Sequence, residues 1–294
     1  MRALADDERL RRLLRLALEE DVGSGDITTR LTVPEGTRAR GRVIARERMV
    51  VAGMLLFAPL REELAAMGEP GHGAASLQLS DIVADGASVD AGACLCVIDG
   101  EAAGILTIER TFLNFLGQLS GIATETARVV SMVREAGCST RILDTRKTTP
   151  GHRRLEKYAV ACGGGSNHRM GLFDAVLIKD NHVVAAGGID KAVRAALAGA
   201  PANMDVEAEC DTLDQVRAAL DAGARAVLLD NFTPAQVAEA VRLIAGRARI
   251  EVSGGVTLQT VVEYAQAGPD AISMGRLTHS ARSADVSMEV TLLV

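Results

Sequence analysis

Two neighbouring basic residues of different chemistry lie near the start of the segment of residues 143–182. Arg146 carries a planar guanidinium that forks onto carboxylates, whereas Lys147 carries a compact ammonium suited to phosphate. The chain has only four lysines against 28 arginines (32 − 4), and Lys147 and Lys179 both lie in this segment. Because the two cations are not interchangeable at a binding site, the pair predicts a ligand with both carboxylate and phosphate groups.

A histidine–arginine pair in the same segment, His168 and Arg169, follows a triple glycine. A lone histidine is more often structural than catalytic, but a core position explains neither the adjacent arginine nor the glycines. We therefore assign both side chains to an anion site. By contrast, His72, His152 and His279 have no such setting, and we interpret them as solvated or supporting residues.

Three carboxylates form an acidic counterpart. Glu207 and Glu209 lie two apart on a predicted strand and so share its face, and Asp230 ends the next predicted strand. One interpretation is ion pairing with Lys179 or an arginine, because unpaired carboxylates in a barrel interior are costly. The other is that they face a cationic transition state, or a ribose and its Mg²⁺. Both stay open for Glu207, whereas the position of Glu209 and Asp230 near strand ends favours function.

Two glycine-containing turns end consecutive predicted strands. They consist of Ser253, Gly254 and Gly255, and of Met274, Gly275 and Arg276. Late strands of α/β barrels hold phosphate through backbone N–H groups and helix N-termini, and glycine lets the backbone approach the anion. A plain tight turn is the alternative for each one, but two such turns on consecutive strands favour phosphate binding.

The elements that position these groups are predicted from periodicity. A sequence with helical periodicity over 111–137 is followed by alternating predicted strands and helices. The predicted strands cover 141–144, 175–179, 204–209, 226–229, 249–252 and 271–274, and the predicted helices follow residue 153 and cover 189–198, 213–222, 234–244 and 258–267. Polar groups that converge from many strand ends are typical of a barrel mouth, whereas a doubly wound sheet concentrates its site at one switch point. We predict an incomplete parallel α/β barrel.

The N-terminal part lacks the alternation of strands and helices that is predicted for the barrel. It begins with an amphipathic helix over 7–20, continues with strand material over 39–53, and reads as all β over 81–106. The last segment resembles the sandwich of lipoyl and biotinyl carrier domains, but the first 146 residues contain no lysine for attachment. We interpret Cys94 and Cys96, on one face of a strand, as a buried inert pair. A final strand over 283–294 is expected to return to this sheet.

Composition narrows the class of protein. The 294 residues are 48% hydrophobic and 24% charged, and no apolar run approaches the length of a membrane span. The formal charge of −6 argues against non-specific nucleic-acid binding. The charged N-terminus lacks the pattern of a signal peptide, and five cysteines fit a reducing compartment, so we expect a cytoplasmic protein.

Taken together, these segments resemble the quinolinate phosphoribosyltransferase family, also called carboxylating nicotinate-nucleotide pyrophosphorylase. The carrying motifs are EDVGSGDITT (20–29), ERTFLNFLGQLSGIAT (109–124), DTRKTTPG (144–151), CGGGSNHRMGLFDAVLIKDNH (162–182), EVSGG (251–255) and GRLTHS (275–280). They occur in the family's order over nearly the whole chain. Each motif alone is weak, but the set is specific.

The resemblance implies a fold and a reaction. The fold would be an open α/β sandwich domain (1–112 with 277–294, completed by the C-terminal strand) joined to an incomplete α/β barrel of six to seven strands (113–276). The subunits would form a homodimer with shared active sites, with a hexamer as the larger alternative, and would bind neither nucleic acid nor membrane. The reaction would convert quinolinate and phosphoribosyl pyrophosphate, with Mg²⁺, into nicotinate mononucleotide, pyrophosphate and CO₂ in NAD biosynthesis.

The resemblance also implies roles for residues. Arg146, His168 and Arg169 would bind the quinolinate carboxylates, with Arg110 contributed by the partner subunit. Lys147, Lys179 and the two glycine-containing turns would meet the phosphates, with Thr145 beside them. Glu209 and Asp230 would hold the ribose hydroxyls and, through the substrate, Mg²⁺.

Two positions depart from the family's pattern, and two other functions are alternatives. Arg276 stands where a small residue is usual, and His152 where an apolar one is usual; neither change removes a group that the mechanism needs. A phosphoribosyltransferase of the same fold acting on another aromatic acid, such as the homologue associated with molybdate transport genes, is the first alternative, but the NHR (167–169) and KDNH (179–182) motifs favour quinolinate. A non-catalytic carrier is the second, and the missing lysine counts against it.

Overall fold

A computed structural model describes residues 7–293, which divide into two compact units. The first unit comprises the residues up to 124 together with 150–163 and those from 281 onward, and the second comprises 125–149 and 164–280. The long helix Ala102–Glu135 continues from the first unit into the second. One unit limit, after residue 124, therefore falls inside this helix, and the domain limits near residues 112 and 277 stay a prediction.

The first unit is built on a small antiparallel sheet. Its helices and strands are α1 (Glu8–Val22), α2 (Ile27–Thr32), β1 (Arg38–Ala45), β2 (Met49–Val50), α3 (Phe57–Ala65), β3 (Gln78–Ser80), β4 (Ser88–Val89), β5 (Cys94–Glu101), the first part of α4 (Ala102–Glu135), α5 (Arg153–Cys162) and β12 (Val286–Leu292). The sheet order is β12-β1-β5-β3, while β2 pairs with β4. The predicted return of the C-terminal strand to this sheet is confirmed.

Local sequence explains the first helix and one wrong boundary. In α1, Leu10, Leu14 and Leu18 recur every four residues and are buried, and the Asp7 side chain accepts the Arg9 backbone N–H at its start. The prediction that residues 81–106 are all β is wrong over its last five residues, because β5 ends at Glu101 and α4 begins at once. The alanines that open α4 favour the helical state.

Cys94 and Cys96 lie on β5 as predicted, and the second is fully buried. Burial raises the pKa of the Cys96 thiol to about 12. A thiol with so high a pKa carries almost no thiolate at neutral pH, which fits an inert core position.

The second unit is an open parallel barrel. Its elements are the rest of α4, β6 (Arg141–Leu143), β7 (Val176–Ile178), α6 (Asp180–Ala186), α7 (Ile189–Gly199), β8 (Val206–Cys210), α8 (Leu213–Asp221), β9 (Ala226–Asp230), α9 (Pro234–Ile244), β10 (Arg249–Ser253), α10 (Val261–Gln266), β11 (Ala271–Ser273) and α11 (Arg276–His279). The strand order is β6-β11-β10-β9-β8-β7. The six predicted strands and their parallel arrangement are therefore confirmed.

Side-chain chemistry fixes where the helices of this barrel begin. Thr212 and Thr233 each cap the next helix by accepting the backbone N–H of a glutamine three residues on. The strands between them are mostly buried, as expected when both faces of a parallel sheet are covered. Ser166 makes one parallel bridge to Leu143 beside β6, which is the only trace of further pairing at that edge among residues 7–293.

Among the same described residues, no helix is both long and apolar enough to cross a bilayer.

Candidate active site

The polar ends of the barrel strands surround one cavity of about 610 Å³ in the second unit. All of the residues predicted for the site, except Arg110, line it. They are Thr145, Arg146, Lys147, His168, Arg169, Lys179, Glu209, Asp230, Ser253, Gly254, Gly255, Met274, Gly275 and Arg276. The carboxyl ends of parallel strands thus gather residues that are up to 131 positions apart (276 − 145).

The loop after β6 carries the first two cations. The Lys147 backbone N–H donates to the Thr145 hydroxyl at 3.0 Å, and the Thr278 hydroxyl donates to the Lys147 carbonyl at 2.7 Å. Thr278 is buried and lies on α11, so it ties this loop to the end of β11. These bonds hold the backbone of Lys147 while its side chain stays exposed toward the cavity.

A buried aspartate orients the His168–Arg169 pair. Asp144 is fully buried and accepts hydrogen bonds from the Asn167 amide at 2.6 Å and from the His168 backbone N–H at 2.9 Å. Arg169 donates through Nη1 to the carbonyl of Ala175 at 3.2 Å. Burial, and then the nearby charge of Arg146, lower the pKa of Arg169. The guanidinium groups of Arg146 and Arg169 repel each other in a partly buried wall, so an anionic ligand between them would be stabilising.

The imidazole of His168 faces two buried glutamates. Its Nε2 lies 3.6 Å from an oxygen of Glu207 and 3.4 Å from an oxygen of Glu251. Burial by itself lowers the pKa of His168, but the hydrogen bonds and charges of both glutamates outweigh it and raise the pKa to about 9. The Nδ1 atom accepts the Arg169 backbone N–H at 2.7 Å, a contact that must open when the ring takes a second proton.

The same three side chains could offer ligand atoms to a metal ion, since these atoms lie within 4.8 Å of one another. A metal on Nε2 would require the proton to sit on Nδ1, where His168 instead accepts from Arg169. In this geometry the proton sits on Nε2 and faces the two glutamates, which gives a hydrogen-bonded cluster and not a metal site. Glu207 and Glu251 line a second cavity, of about 280 Å³, rather than the large one.

The acidic wall of the large cavity is formed by Glu209 and Asp230. Glu209 is buried and accepts a 2.5 Å hydrogen bond from the ammonium of Lys179. Burial, and then the charge of Glu209, raise the pKa of Asp230. The ion pair that the sequence offered as an alternative role for Glu209 is thus present, on the cavity wall itself. Two neighbouring carboxylates that repel each other also form a site that attracts a cation.

Glycine is required at position 254, in the first of the two turns. A side chain on Gly254 would place its Cβ 2.3 Å from Oδ1 of Asn231, and Gly254 has a φ of +83°. A Cβ on Gly275 would come within 3.0 Å of Lys147 and 3.2 Å of His279. The lack of a side chain at Gly254 leaves its backbone bare on the cavity wall, as close approach to an anion requires, whereas the Lys147 and His279 side chains beside Gly275 could move aside.

The departures from the family pattern have distinct environments. Arg276 lies on the cavity wall and pairs with Glu125 on α4 at 3.1 Å, so its guanidinium is partly neutralised. His152 is not among the residues that line the cavity, and it stacks on the ring of Phe115 at 5.9 Å in the first unit.

Three sequence interpretations need comment. Arg110 is exposed on the part of α4 in the first unit, so its contribution to a partner's site stays a prediction. His279, interpreted as solvated or supporting, lines the large cavity. Its membership in the GRLTHS motif was the available signal. Asn231 also lines the cavity but was not assigned to the site; its position directly after Asp230 could have indicated it.

An open α/β barrel that gathers paired arginines, lysines, carboxylates and glycine turns at its strand ends defines an enzyme for phosphorylated, carboxylated substrates. Residues 26–120 match the N-terminal domain model of quinolinate phosphoribosyl transferase, and residues 122–289 match the C-terminal domain model. The chain belongs to the quinolinate phosphoribosyltransferase family and is a phosphoribosyltransferase enzyme.

Known relatives match over nearly their whole length. The nicotinate-nucleotide pyrophosphorylase [carboxylating] of Mycobacterium leprae is 42% identical over 281 residues, which is 94% of this chain and 95% of that protein. The probable enzyme of the same name from Methanocaldococcus jannaschii is 39% identical, covering 95% and 96%. The solved structure of the nicotinate-nucleotide pyrophosphorylase from Francisella tularensis has a TM-score of 0.87 and 39% identity, covering 97% of this chain and 96% of that one. The predicted family and fold are confirmed.

Proposed function

We propose that the chain transfers phosphoribosyl from phosphoribosyl pyrophosphate to the ring nitrogen of quinolinate, releasing pyrophosphate and CO₂ and giving nicotinate mononucleotide for NAD biosynthesis. The observation that carries this is the single cavity lined by two arginines, Arg146 and Arg169, two lysines, Lys147 and Lys179, and a pair of carboxylates. Quinolinate brings two carboxylates and the donor brings phosphates and a ribose. Each chemical group therefore has a matching side chain.

The guanidinium groups of Arg146 and Arg169 would bind the two carboxylates of quinolinate. Burial, and then the charge of Arg146, lower the pKa of Arg169, and the repulsion between the two guanidinium groups is relieved when a dianion lies between them. Both ring nitrogens of His168 contact protein groups, so His168 would act through the charge that Glu207 and Glu251 favour and not through a direct hydrogen bond to quinolinate. Arg110 would reach this site from a second copy of the chain, which makes the working unit a dimer with shared sites.

Lys147, Lys179 and the backbone of the two turns would bind the donor phosphates. Glu209 and Asp230 would face the ribose hydroxyls and favour the positive charge that builds on the sugar as pyrophosphate leaves. Charge placement, together with exclusion of water once the substrates fill the cavity, would be the contribution of the protein.

The acidic wall also fits Mg²⁺. The ammonium of Lys179 already occupies a cation position against Glu209, and burial beside Glu209 raises the pKa of Asp230. Oxygen ligands of this kind, with substrate phosphates, suit Mg²⁺. When bound, the ion would neutralise charge that develops on the pyrophosphate. Glu209 and Asp230 would hold it through the substrate.

Loss of CO₂ requires no electron-sink cofactor in this proposal. The ring nitrogen becomes cationic once it is ribosylated and can stabilise the negative charge left at C2. The arginines that bind the carboxylates would keep the ring oriented until the C–C bond breaks. A cytoplasmic location is proposed as well, supported by five free cysteines among the described residues.

The test is to incubate the protein with phosphoribosyl pyrophosphate, Mg²⁺ and either quinolinate or nicotinate, while measuring pyrophosphate and CO₂. Stoichiometric release of both products from quinolinate is expected. Turnover of nicotinate without CO₂ release from quinolinate would contradict the proposal.

The carboxylate assignment has its own test. Arg146→Lys keeps the charge but loses the fork, so the KM for quinolinate should rise about tenfold or more, because charge-assisted hydrogen bonds are worth roughly 1.5–3 kcal/mol. Arg217→Lys, on the exposed surface of α8, is the matched control. An unchanged KM for quinolinate in Arg146→Lys would remove Arg146 from the carboxylate site.

A further inference from the structure

Asn231 stands at the carboxyl end of β9, directly between Asp230 and the turn Ser253–Gly255. Its φ is +58°, and it is one of three non-glycine residues in 7–293 with a positive φ. The other two do not line the large cavity. A left-handed backbone costs most side chains roughly 1–2 kcal/mol, but asparagine tolerates it better than others. The fold thus holds Asn231 in an unusual conformation at the cavity wall.

The Asn231 side chain contacts both neighbours. Its Nδ2 donates to an oxygen of Asp230 at 2.6 Å. Because an ionised carboxylate can only accept, this contact fixes which end of the amide faces Asp230. The opposite end, Oδ1, then faces Gly254, where a Cβ would lie only 2.3 Å away. The amide is therefore wedged between the carboxylate and the glycine of the next strand end.

The backbone around Asn231 is held from two further directions. The Asn231 N–H donates to the carbonyl of Ser253 at 2.9 Å, in register with the pairing of Ser253 and Asp230. The next residue, Phe232, is buried and its carbonyl accepts the hydroxyl of Tyr264 at 2.9 Å. The backbone of Asn231 is consequently fixed, and its exposed side chain extends from it between Asp230 and Gly254.

We infer that Asn231 is a positioning residue that orients the Asp230 carboxylate and sets its distance from the Ser253–Gly255 turn. One oxygen of Asp230 is occupied by the amide, which leaves the other for a ligand. The inference rests on the proposed function, in which Asp230 faces the ribose and metal and the turn faces phosphate. Asn231 would thus fix the spacing between the ribose subsite at Asp230 and the phosphate subsite at the Ser253–Gly255 turn, so that one donor molecule can bind both.

The experiment compares substitutions that separate backbone conformation from the amide. Asn231→Gly keeps the positive φ and removes the donor, whereas Asn231→Asp keeps the shape and replaces the donor with a repelling carboxylate. Ala245→Gly is the matched control, because Ala245 also has a positive φ, of 50°, at the exposed end of α9. Asp230→Asn reports whether the carboxylate itself matters.

For Asn231→Gly we expect the kcat/KM for phosphoribosyl pyrophosphate to fall about tenfold, since a hydrogen bond to a charged group is lost. The KM for quinolinate should stay within about twofold, and the melting temperature should match that of Ala245→Gly. Binding of Mn²⁺ in the presence of phosphoribosyl pyrophosphate, followed by the electron paramagnetic resonance of the free ion, should weaken in parallel. Asn231→Asp should lose more than Asn231→Gly.

The outcomes separate the inference from the proposed function. Full activity of Asp230→Asn would contradict the assignment of Asp230, and with it the proposed site. An inactive Asp230→Asn alongside Asn231→Gly or Asn231→Asp with wild-type kinetics would overturn the role of Asn231 alone. A parallel loss for both substrates with a lowered melting temperature would show that Asn231 only supports the fold, which also overturns the inference.

Discussion

Replacing His168 with glutamine removes the group on which two buried carboxylates converge. In the folded protein Glu207 and Glu251 are each at least nine-tenths buried, and the ring is the nearest positive charge to both. Their hydrogen bonds and charges raise the pKa of His168 from 6.5 to about 9, against the opposing effect of burial. The unfolded chain has no such cluster, so folding and protonation of this ring are linked.

The direction and size of the change in the free energy of unfolding with pH follow from the raised pKa of His168. The imidazolium stabilises the fold fully below pH 6.5, and this contribution is lost as the pH rises through about 9. A tenfold change in proton affinity is worth about 1.4 kcal/mol, so the free energy of unfolding should fall by up to about 3 kcal/mol across this window. The loss is an upper value, because the Arg169 N–H contact with Nδ1 favours the neutral ring.

The measurement is urea unfolding of wild type and His168→Gln at several pH values between 6 and 10. The difference between the two proteins should be largest at low pH and shrink as the pH rises. His72→Gln is the control, because His72 is exposed and faces a single carboxylate, that of Glu101, at 3.4 Å. Parallel pH curves for wild type and His168→Gln would refute the charge assignment, and ring nitrogen shifts measured by NMR would then be those of a neutral imidazole at pH 7.

Two further substitutions test the packing and the ion pair. Gly121→Ala in α4 should lower the free energy of unfolding by roughly 1–3 kcal/mol, because its Cβ would lie 2.0 Å from the carbonyl oxygen of Arg282; the better helix propensity of alanine does not offset this clash. Gly199→Ala is the control, because open space surrounds Gly199, and this substitution should be neutral or stabilising. Chemical denaturation of both variants measures the difference. Lys179→Met should abolish most turnover and lower the free energy of unfolding by roughly 1–2 kcal/mol, because buried Glu209 loses its ammonium partner. The exposure of Lys179 keeps this loss of stability small. Unchanged kinetics would contradict the place of Lys179 in the site.

Much of the second unit could be predicted because its signals are local. Thr212 and Thr233 mark helix starts, and the apolar runs between them have the length of buried strands. The short helix α6 was missed, since its seven residues contain no buried position to give a pattern. The start of α4 was missed because a strand pattern and a helix pattern meet there with no breaker between them.

The sequence could not predict that Glu207 and Glu209 have different environments and partners. They share a face of β8, but the step of two residues, about 6.6 Å along a strand, separates two environments. Glu209 reaches the large cavity and Lys179, whereas Glu207 lies deeper, against His168. Periodicity identifies a shared face and is silent about depth.

The sequence by itself determined the order and type of the barrel elements, the family, and which residue types stand at the strand ends, because these depend on local periodicity, turn chemistry and motif content. Only the tertiary structure decided which of these groups meet. The pairing of His168 with Glu251, of Arg276 with Glu125 and of Asn231 with Gly254 joins residues far apart in the chain. Such contacts are set by strand order and register in the parallel sheet, which no local pattern encodes.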